Sequence, residues 1–224
     1  PFPPPARPRG PVVKNAGISE VAISGYLYGY WFFKPEITAH WMHEAQKLGM
    51  QASIVNAPLG HPGDSMGSSS GTIPLTPPKN WKQQVDITGE RYTGNSIHEP
   101  AQAENAGAVE RLIGLKPHVM WMDDDLRLAR TPGMIGGCFC SEHKQRFLKL
   151  HGYNESIWDE LVDAMQRRRL CKVLENWVDW QCDQVTAFFK AQQKAAGKTP
   201  VGMMVMRLGC EKAGIRLSDY TDVP

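Results

Sequence analysis

Short apolar runs that alternate with longer amphipathic segments are the feature that most constrains the fold of this chain. Four runs have the length and composition of buried strands, and segments with helical periodicity separate them. The strands are predicted at residues 20–25, 51–56, 118–123 and 201–206. Strands that alternate with helices usually pair in parallel and form an α/β fold. We therefore predict that these four strands are adjacent and parallel.

The helical segments carry ordinary start and stop signals. Pro35 occupies a favoured first-turn position, and Gly49 follows the last apolar position of that helix, Leu48. The other helical patterns lie near residues 101–113, 141–150, 155–166 and 170–195.

This alternation indicates a (β/α)8 barrel of the TIM type, of which the chain spans only a part. A complete barrel has eight strands and typically about 250 residues. The 224 residues here hold four strands, or five if residues 215–220 contribute one. We expect the N-terminal half to five-eighths of a barrel over residues 18–224, truncated at the C-terminus.

Two segments are expected to lie outside regular structure. Residues 1–17 begin with six prolines in eleven positions, which predicts an extended arm. Residues 65–80 are rich in Ser, Gly, Thr and Pro and predict a long loop, of a kind that is usually functional or mobile.

The composition excludes several classes of function. A net charge of +2 is too small to indicate a nucleic-acid or membrane-surface partner. No apolar run approaches the roughly 20 residues that a membrane-spanning helix needs. The five cysteines are an odd number in a chain too large to need disulfides, so we expect reduced thiols or metal ligands. The sequence does not indicate a subcellular location.

The apolar run at 118–122 ends abruptly in three carboxylates, Asp123, Asp124 and Asp125. Burying an unpaired carboxylate is very costly, so the strand must leave the core at this point. In a (β/α) barrel, catalytic groups lie at the carboxyl ends of the strands. Like charges this close resist ionising together, and Arg127 can keep one of them ionised. One carboxyl would then stay protonated, as a general acid requires.

Other interpretations of these polar residues stay open. Clustered aspartates also bind Ca²⁺ or Mg²⁺, and the run also fits a helix cap and a solvated acidic turn. The candidate substrate contacts follow predicted strands or lie in loops, where each also fits a structural turn. They are Asn56, His61, Asp64, His98 and Arg127.

Cys138, Cys140 and His143 form a C-x-C-x-x-H segment, which suits a metal. Thiolate and imidazole ligands together favour Zn²⁺, and a closed structural site needs four of them. The alternative is two small buried thiols near an unrelated histidine, since zinc sites more often use C-x-x-C. The candidates for a fourth ligand are His98, His118 and Cys182.

The acidic strand end, the segment 137–147 and the following His-Gly-Tyr at 151–153 resemble the catalytic barrel of family 42 glycoside hydrolases, the β-galactosidase group. The resemblance covers residues 118–180 and extends to the rest only in outline. It implies a barrel that cleaves β-linked sugars with retention of configuration, using one carboxyl as acid/base and another as nucleophile. In some members of that family the cysteines of this segment bind a structural zinc.

The resemblance also assigns residues, with departures. A family strand ends in Asn-Glu, where the Glu is the acid/base; Asp124 matches the Asn and Asp125 the Glu, with one methylene less. His143 stands where the family has a third cysteine. The family's nucleophile is a Glu on a later strand, which this chain is expected not to reach.

The leading hypothesis is therefore a retaining glycoside hydrolase that acts on a carbohydrate substrate, with Asp125 or Asp124 as the proton donor. No cofactor is expected for catalysis, and a structural zinc is the one candidate metal. The rivals are a non-catalytic carbohydrate-binding or scaffold half-barrel and a metal-dependent hydrolase that uses the aspartate triplet. A homo-oligomer or further chain would complete the barrel.

Overall fold

A parallel sheet runs through the centre of the computed structural model, which describes residues 10–31, 33–59, 78–124, 126–128, 135–205 and 210–223. Each strand is short, as expected for a buried α/β sheet. Along the chain the strands are β1 (Glu20–Leu27), β2 (Tyr30–Trp31), β3 (Gln51–Ala57), β4 (Gln83–Val85), β5 (Arg91–Asn95), β6 (Met120–Met122) and β7 (Val201–Met203).

The main sheet has the spatial order β2-β1-β3-β6-β7. Strands β1, β3, β6 and β7 are parallel neighbours, and β2 turns back antiparallel on β1. The register aligns Ile54 with Met120 and Met120 with Val201, so that apolar side chains from three strands lie side by side. The prediction of four adjacent parallel strands is confirmed, although β6 and β7 are shorter than the sequence indicated.

The helices between the strands follow the predicted pattern to within two residues. Among the described residues, no helix combines the length and apolar composition that a membrane span requires. The helices are α1 (Gly10–Asn15), α2 (Pro35–Lys47), α3 (Ala101–Ile113), α4 (Ser141–His151), α5 (Glu155–Gln166) and α6 (Lys172–Ala196), followed by the 3₁₀ turns η1 (Cys210–Ala213) and η2 (Leu217–Tyr220).

The long helix α6 contributes to two separate hydrophobic clusters. Its C-terminal half packs Phe188 and Phe189 into the core beneath the sheet, together with Leu112 of α3. Its N-terminal half packs Trp177 against Phe147 of α4 in an aromatic cluster. One helix therefore connects the barrel core with the layer that carries α4 and α5.

Two of the sequence expectations need correction. Within the expected extended arm of residues 1–17, Gly10–Asn15 is a short helix, since Pro11 lies in its first turn, where a missing N–H costs little. Residues 1–9 lie outside the described residues, as does most of the predicted loop at 65–80. The candidate fifth strand at 215–220 is not a strand but includes η2, because Asp219 accepts hydrogen bonds from Arg216 and Thr186.

A small antiparallel hairpin of β4 and β5 follows β3, and the sequence did not indicate it. Its residues are mostly polar and lack the alternation of a half-buried strand, so no hydrophobic pattern marks it. Gln84 is nevertheless fully buried and donates through Nε2 to the carbonyl of Asn95 at 2.7 Å. The hairpin is therefore held by internal polar contacts.

Gly25 of β1 provides a test of the close packing at the sheet. A Cβ at this position would overlap the side chains of Asn56 and Ile54, whereas a Cβ at Gly107, inside α3, would meet no atom within 4 Å. We expect Gly25→Ala to lower the free energy of unfolding by about 1–3 kcal/mol. Gly107→Ala, the matched control, should raise it by roughly 0.5–1 kcal/mol. Urea unfolding of both variants measures this, and equal effects would contradict the packing described.

Candidate functional site

Asp123 and Asp124 directly follow the carboxyl end of β6. The N–H of Asp123 donates to the backbone carbonyl of Asn56 on the neighbouring strand at 2.9 Å, and the N–H of Leu126 donates to the backbone carbonyl of Asp123 at 3.2 Å. Between them Asp124 is half-buried. Asp125, the predicted proton donor, lies outside the described residues. The chain thus makes a turn directly after the strand, and we call residues 123–128 the acidic turn.

After this turn the chain goes straight back into the core. Leu126 and Leu128 are fully buried, and the side chain of Arg127 between them is almost as deeply buried. The N–H of Leu128 donates to the carbonyl of Ala213 at 2.9 Å. A guanidinium at this depth must be paired inside the protein. Little of the Arg127 side chain is therefore exposed for the substrate contact predicted from the sequence.

Asn56 also has an internal role instead of the predicted substrate contact. Its side chain is 1% exposed, and its Oδ1 accepts a hydrogen bond from the backbone N–H of Tyr26 at 2.8 Å. Tyr26 lies where the pairing of β1 with β3 becomes irregular, so the amide satisfies a backbone donor that the ladder leaves free. His61 and Asp64, the other loop candidates, lie outside the described residues.

The predicted metal ligands are brought together, and the fourth member is His98. Ligand atoms of His98, Cys138, Cys140 and His143 all lie within 4.8 Å of one another. The Sγ of Cys140 is 3.4 Å from Nε2 of His98 and 3.6 Å from Nδ1 of His143. His98, predicted as a substrate contact and as a metal ligand, thus joins these side chains, which we call the Cys/His cluster. The other fourth-ligand candidates, His118 and Cys182, are not members of it.

Local structure explains how the cluster forms. Cys140 immediately precedes α4 and His143 lies in its first turn, so the helix brings both to one side. The N–H of Phe139 donates to the carbonyl of Val85 at 2.8 Å, which holds this segment against the hairpin. Gly137 has a φ of +128° and abuts the indole of Trp177, so a side chain is excluded there.

The two thiols of the cluster differ in their acidity. A hydrogen bond from the Cys138 thiol, with further ones from His143 and His98, lowers the pKa of Cys140 far below its usual range. The same hydrogen bond, together with burial, raises the pKa of Cys138. In the absence of a metal, a negative charge is therefore favoured on Cys140 over Cys138.

The donor set of the cluster fits a tetrahedral zinc ion. With Zn–S near 2.3 Å and Zn–N near 2.0–2.1 Å, sulfur and nitrogen ligands of one ion are about 3.6 Å apart. The two sulfur–nitrogen distances here, 3.4 and 3.6 Å, are close to that value. Two thiols and two imidazoles are also the composition of many structural zinc sites.

The outer edge of the cluster faces a cavity of about 410 Å³. His98 and Cys140 contribute to its wall, and the cations Lys79, Lys82 and Arg91 line it as well. The cavity gives solutes a path to the half-buried sulfur of Cys140, whereas Cys138 is completely buried.

Lys82 and Glu142 border the cluster but were not singled out from the sequence. The Nζ of Lys82 donates to Oε2 of Glu142 at 2.8 Å, and the same oxygen is 3.4 Å from Nδ1 of His98. Glu142 lies inside the C-x-C-x-x-H segment, next to His143, and that position is the signal that could have marked it. For Lys82 the sequence offers no such signal.

Comparison with solved structures finds similarity to the catalytic domain of a β-amylase from Paenibacillus polymyxa, a glycoside hydrolase. The TM-score is 0.54 at 12% identity, over 86% of this chain and 60% of that one. The fold is a partial TIM barrel. At this identity the similarity shows the fold alone, and the fold is one that a glycoside hydrolase uses. The chain spans about three-fifths of the β-amylase domain. The similarity does not point to family 42 of the glycoside hydrolases. No protein-family model and no curated protein matches.

The acidity difference within the Cys/His cluster predicts selective alkylation. In metal-free protein, iodoacetamide should modify Cys140 in preference to Cys138, because the reactive form is the thiolate and the cavity reaches only Cys140. The rate of Cys140 alkylation should change little between about pH 6 and 8. Over the same range an ordinary thiol reacts roughly tenfold faster with each added pH unit. Peptide mass spectrometry after timed quenching measures both rates. Preferential labelling of Cys138 would contradict the assignment of the charge.

Proposed function

We propose that this chain forms part of the active site of a glycoside hydrolase, with the acidic turn as the source of its proton donor. The observation that carries the proposal is the emergence of Asp123 and Asp124 at the carboxyl end of β6, inside a parallel sheet of barrel type. Enzymes of this architecture place their catalytic groups at that face. Because one fold serves many functions, the acidic residues rather than the barrel support the choice of reaction.

In the proposed reaction, Asp125 protonates the glycosidic oxygen of a β-linked sugar as the bond breaks. Asp124 precedes it in the chain. In a retaining mechanism a second carboxylate, about 5–5.5 Å away, attacks the anomeric carbon and forms a glycosyl–enzyme intermediate. Asp125 then removes a proton from the water that releases the sugar.

Substitutions in the acidic turn test this proposal in the full-length natural protein. Asp125→Asn keeps the shape of the side chain but removes its proton, so kcat on an alkyl β-glycoside should fall by about 10²–10⁴-fold. The loss should be smaller on nitrophenyl glycosides, whose leaving groups need little protonation. Asp159→Asn, at an exposed position of α5, is the matched control and should leave kcat unchanged.

The outcomes of that experiment separate the alternatives. Full activity in the variants of Asp123, Asp124 and Asp125 would overturn the catalytic role of the turn. Carbohydrate binding without hydrolysis would favour a non-catalytic binding barrel. In the His98→Ala variant the Cys/His cluster is already disrupted. If EDTA still abolishes the activity of this variant, the result would favour a metal-dependent hydrolase that uses the aspartates.

We further propose that the Cys/His cluster holds a structural Zn²⁺. Its four donors come from the segment before α3, the segment before α4 and α4 itself, so a bound ion would tie these parts together. The near-tetrahedral sulfur–nitrogen distances and the burial of three of the four side chains support a closed site. The proposed hydrolysis does not require this metal.

The zinc proposal predicts one ion per chain and a loss of stability when it is removed. Structural zinc contributes directly to folding, so exhaustive chelation should lower Tm, and added Zn²⁺ should restore it. His98→Ala and Cys140→Ser should each lower zinc content, measured by elemental analysis of dialysed protein. Cys171→Ser is the matched control, because this half-buried cysteine lies outside the cluster. Undiminished zinc content in both cluster variants would contradict the assignment.

A further inference from the structure

The two ring nitrogens of His98 face different partners. Its Nε2 faces the Sγ of Cys140 at 3.4 Å, while its Nδ1 lies 3.4 Å from Oε2 of Glu142. The His98 side chain is only 3% exposed, so water has little access to either nitrogen. A buried ring nitrogen requires a partner inside the protein, and for Nδ1 the near one is this carboxylate.

Glu142 is in turn held by Lys82. The Lys82 ammonium donates to the same Oε2 at 2.8 Å, and the two residues belong to different parts of the fold: Lys82 directly precedes β4, and Glu142 lies in the first turn of α4. Both side chains are about half exposed, at 57% and 48%. An exposed ion pair of this kind stabilises a protein little, so stability alone does not explain a pair directed at a buried imidazole.

We propose that Glu142 is the positioning residue of the metal centre and that Lys82 fixes its carboxylate. In the zinc-loaded centre, Glu142 would accept a hydrogen bond from His98 Nδ1–H, so that Nε2, which donates to Cys140 in the metal-free protein, has its lone pair available for the metal. Carboxylates in this relation to a metal-binding histidine select the tautomer, orient the ring and raise its basicity as a ligand. The inference rests on the proposed zinc centre and adds to it two residues that are not ligands.

Zinc affinity of the full chain, measured by competition with a chromogenic chelator, tests the inference. Removal of such a partner typically weakens metal binding by about 10–100-fold, which we expect for Glu142→Ala. Glu142→Gln should lose less, because its amide oxygen can still accept from Nδ1–H. Lys82→Met should also lose less, since the carboxylate remains. Glu175→Gln is the matched control. Glu175 pairs with Lys172 at 3.3 Å, is about as exposed as Glu142 and lies outside the cluster.

Two further readouts separate positioning from general structural support. Saturated with Co²⁺, the Glu142→Ala protein should show the same tetrahedral absorption bands as the unmodified chain, because the four ligands are unchanged. In excess EDTA, both proteins should unfold at the same urea concentration. Glu142→Ala should lower the stability of the metal-free protein less than it lowers that of the zinc-loaded protein. Equal losses of stability, each relative to the unmodified chain, would overturn the positioning role.

The remaining outcomes distinguish this inference from the proposal on which it rests. If the unmodified chain binds no zinc, the metal centre itself is refuted, and with it the role of Glu142. If the unmodified chain binds zinc and Glu142→Ala binds it equally tightly, the role of Glu142 is refuted while the metal centre stands. Weaker binding by Glu142→Ala but not by Glu175→Gln supports the inference.

Discussion

Asn56 is the residue on which the carboxyl-terminal edge of the sheet depends. From β3 its buried side chain accepts the N–H of Tyr26 in β1, and its carbonyl accepts the N–H of Asp123 just after β6. One residue therefore satisfies backbone donors from both neighbouring strands, at the edge where the regular ladder ends. Gly25 makes this possible because a side chain there would overlap the Asn56 amide. The start of the acidic turn is set by this arrangement.

The hairpin of β4 and β5 connects the acidic turn with the Cys/His cluster. Gln84 donates to the carbonyl of Arg127 at 3.4 Å, and Val85 accepts from Phe139 between the two cysteines. The two parts of the candidate site thus share a support made of backbone and buried amide groups. A metal in the cluster would restrain this hairpin, which gives the proposed zinc a structural effect on the acidic turn without a part in the chemistry.

The regular elements of the barrel could be predicted from the sequence because each carries a local signal. Periodicity identified the four parallel strands and five helices, and the abrupt change from apolar to acidic residues identified the end of β6. Local signals failed where polar contacts decide the structure. The hairpin depends on buried Gln84, and η2 depends on Asp219, which bonds to Thr186 of α6. No periodicity records such contacts.

The sequence by itself determined three of the four residues of the Cys/His cluster, because Cys138, Cys140 and His143 are neighbours along the chain. Only the tertiary structure decided that His98 completes the cluster, since it lies 42 positions before Cys140 and each of the three candidates carries a side chain that can bind zinc. Likewise, only the tertiary structure decided that Asn56 and Arg127, both candidate substrate contacts, are buried. The physical reason is the same in each case: residue type defines what a side chain can bind, whereas burial and the packing of distant segments define which partner it meets.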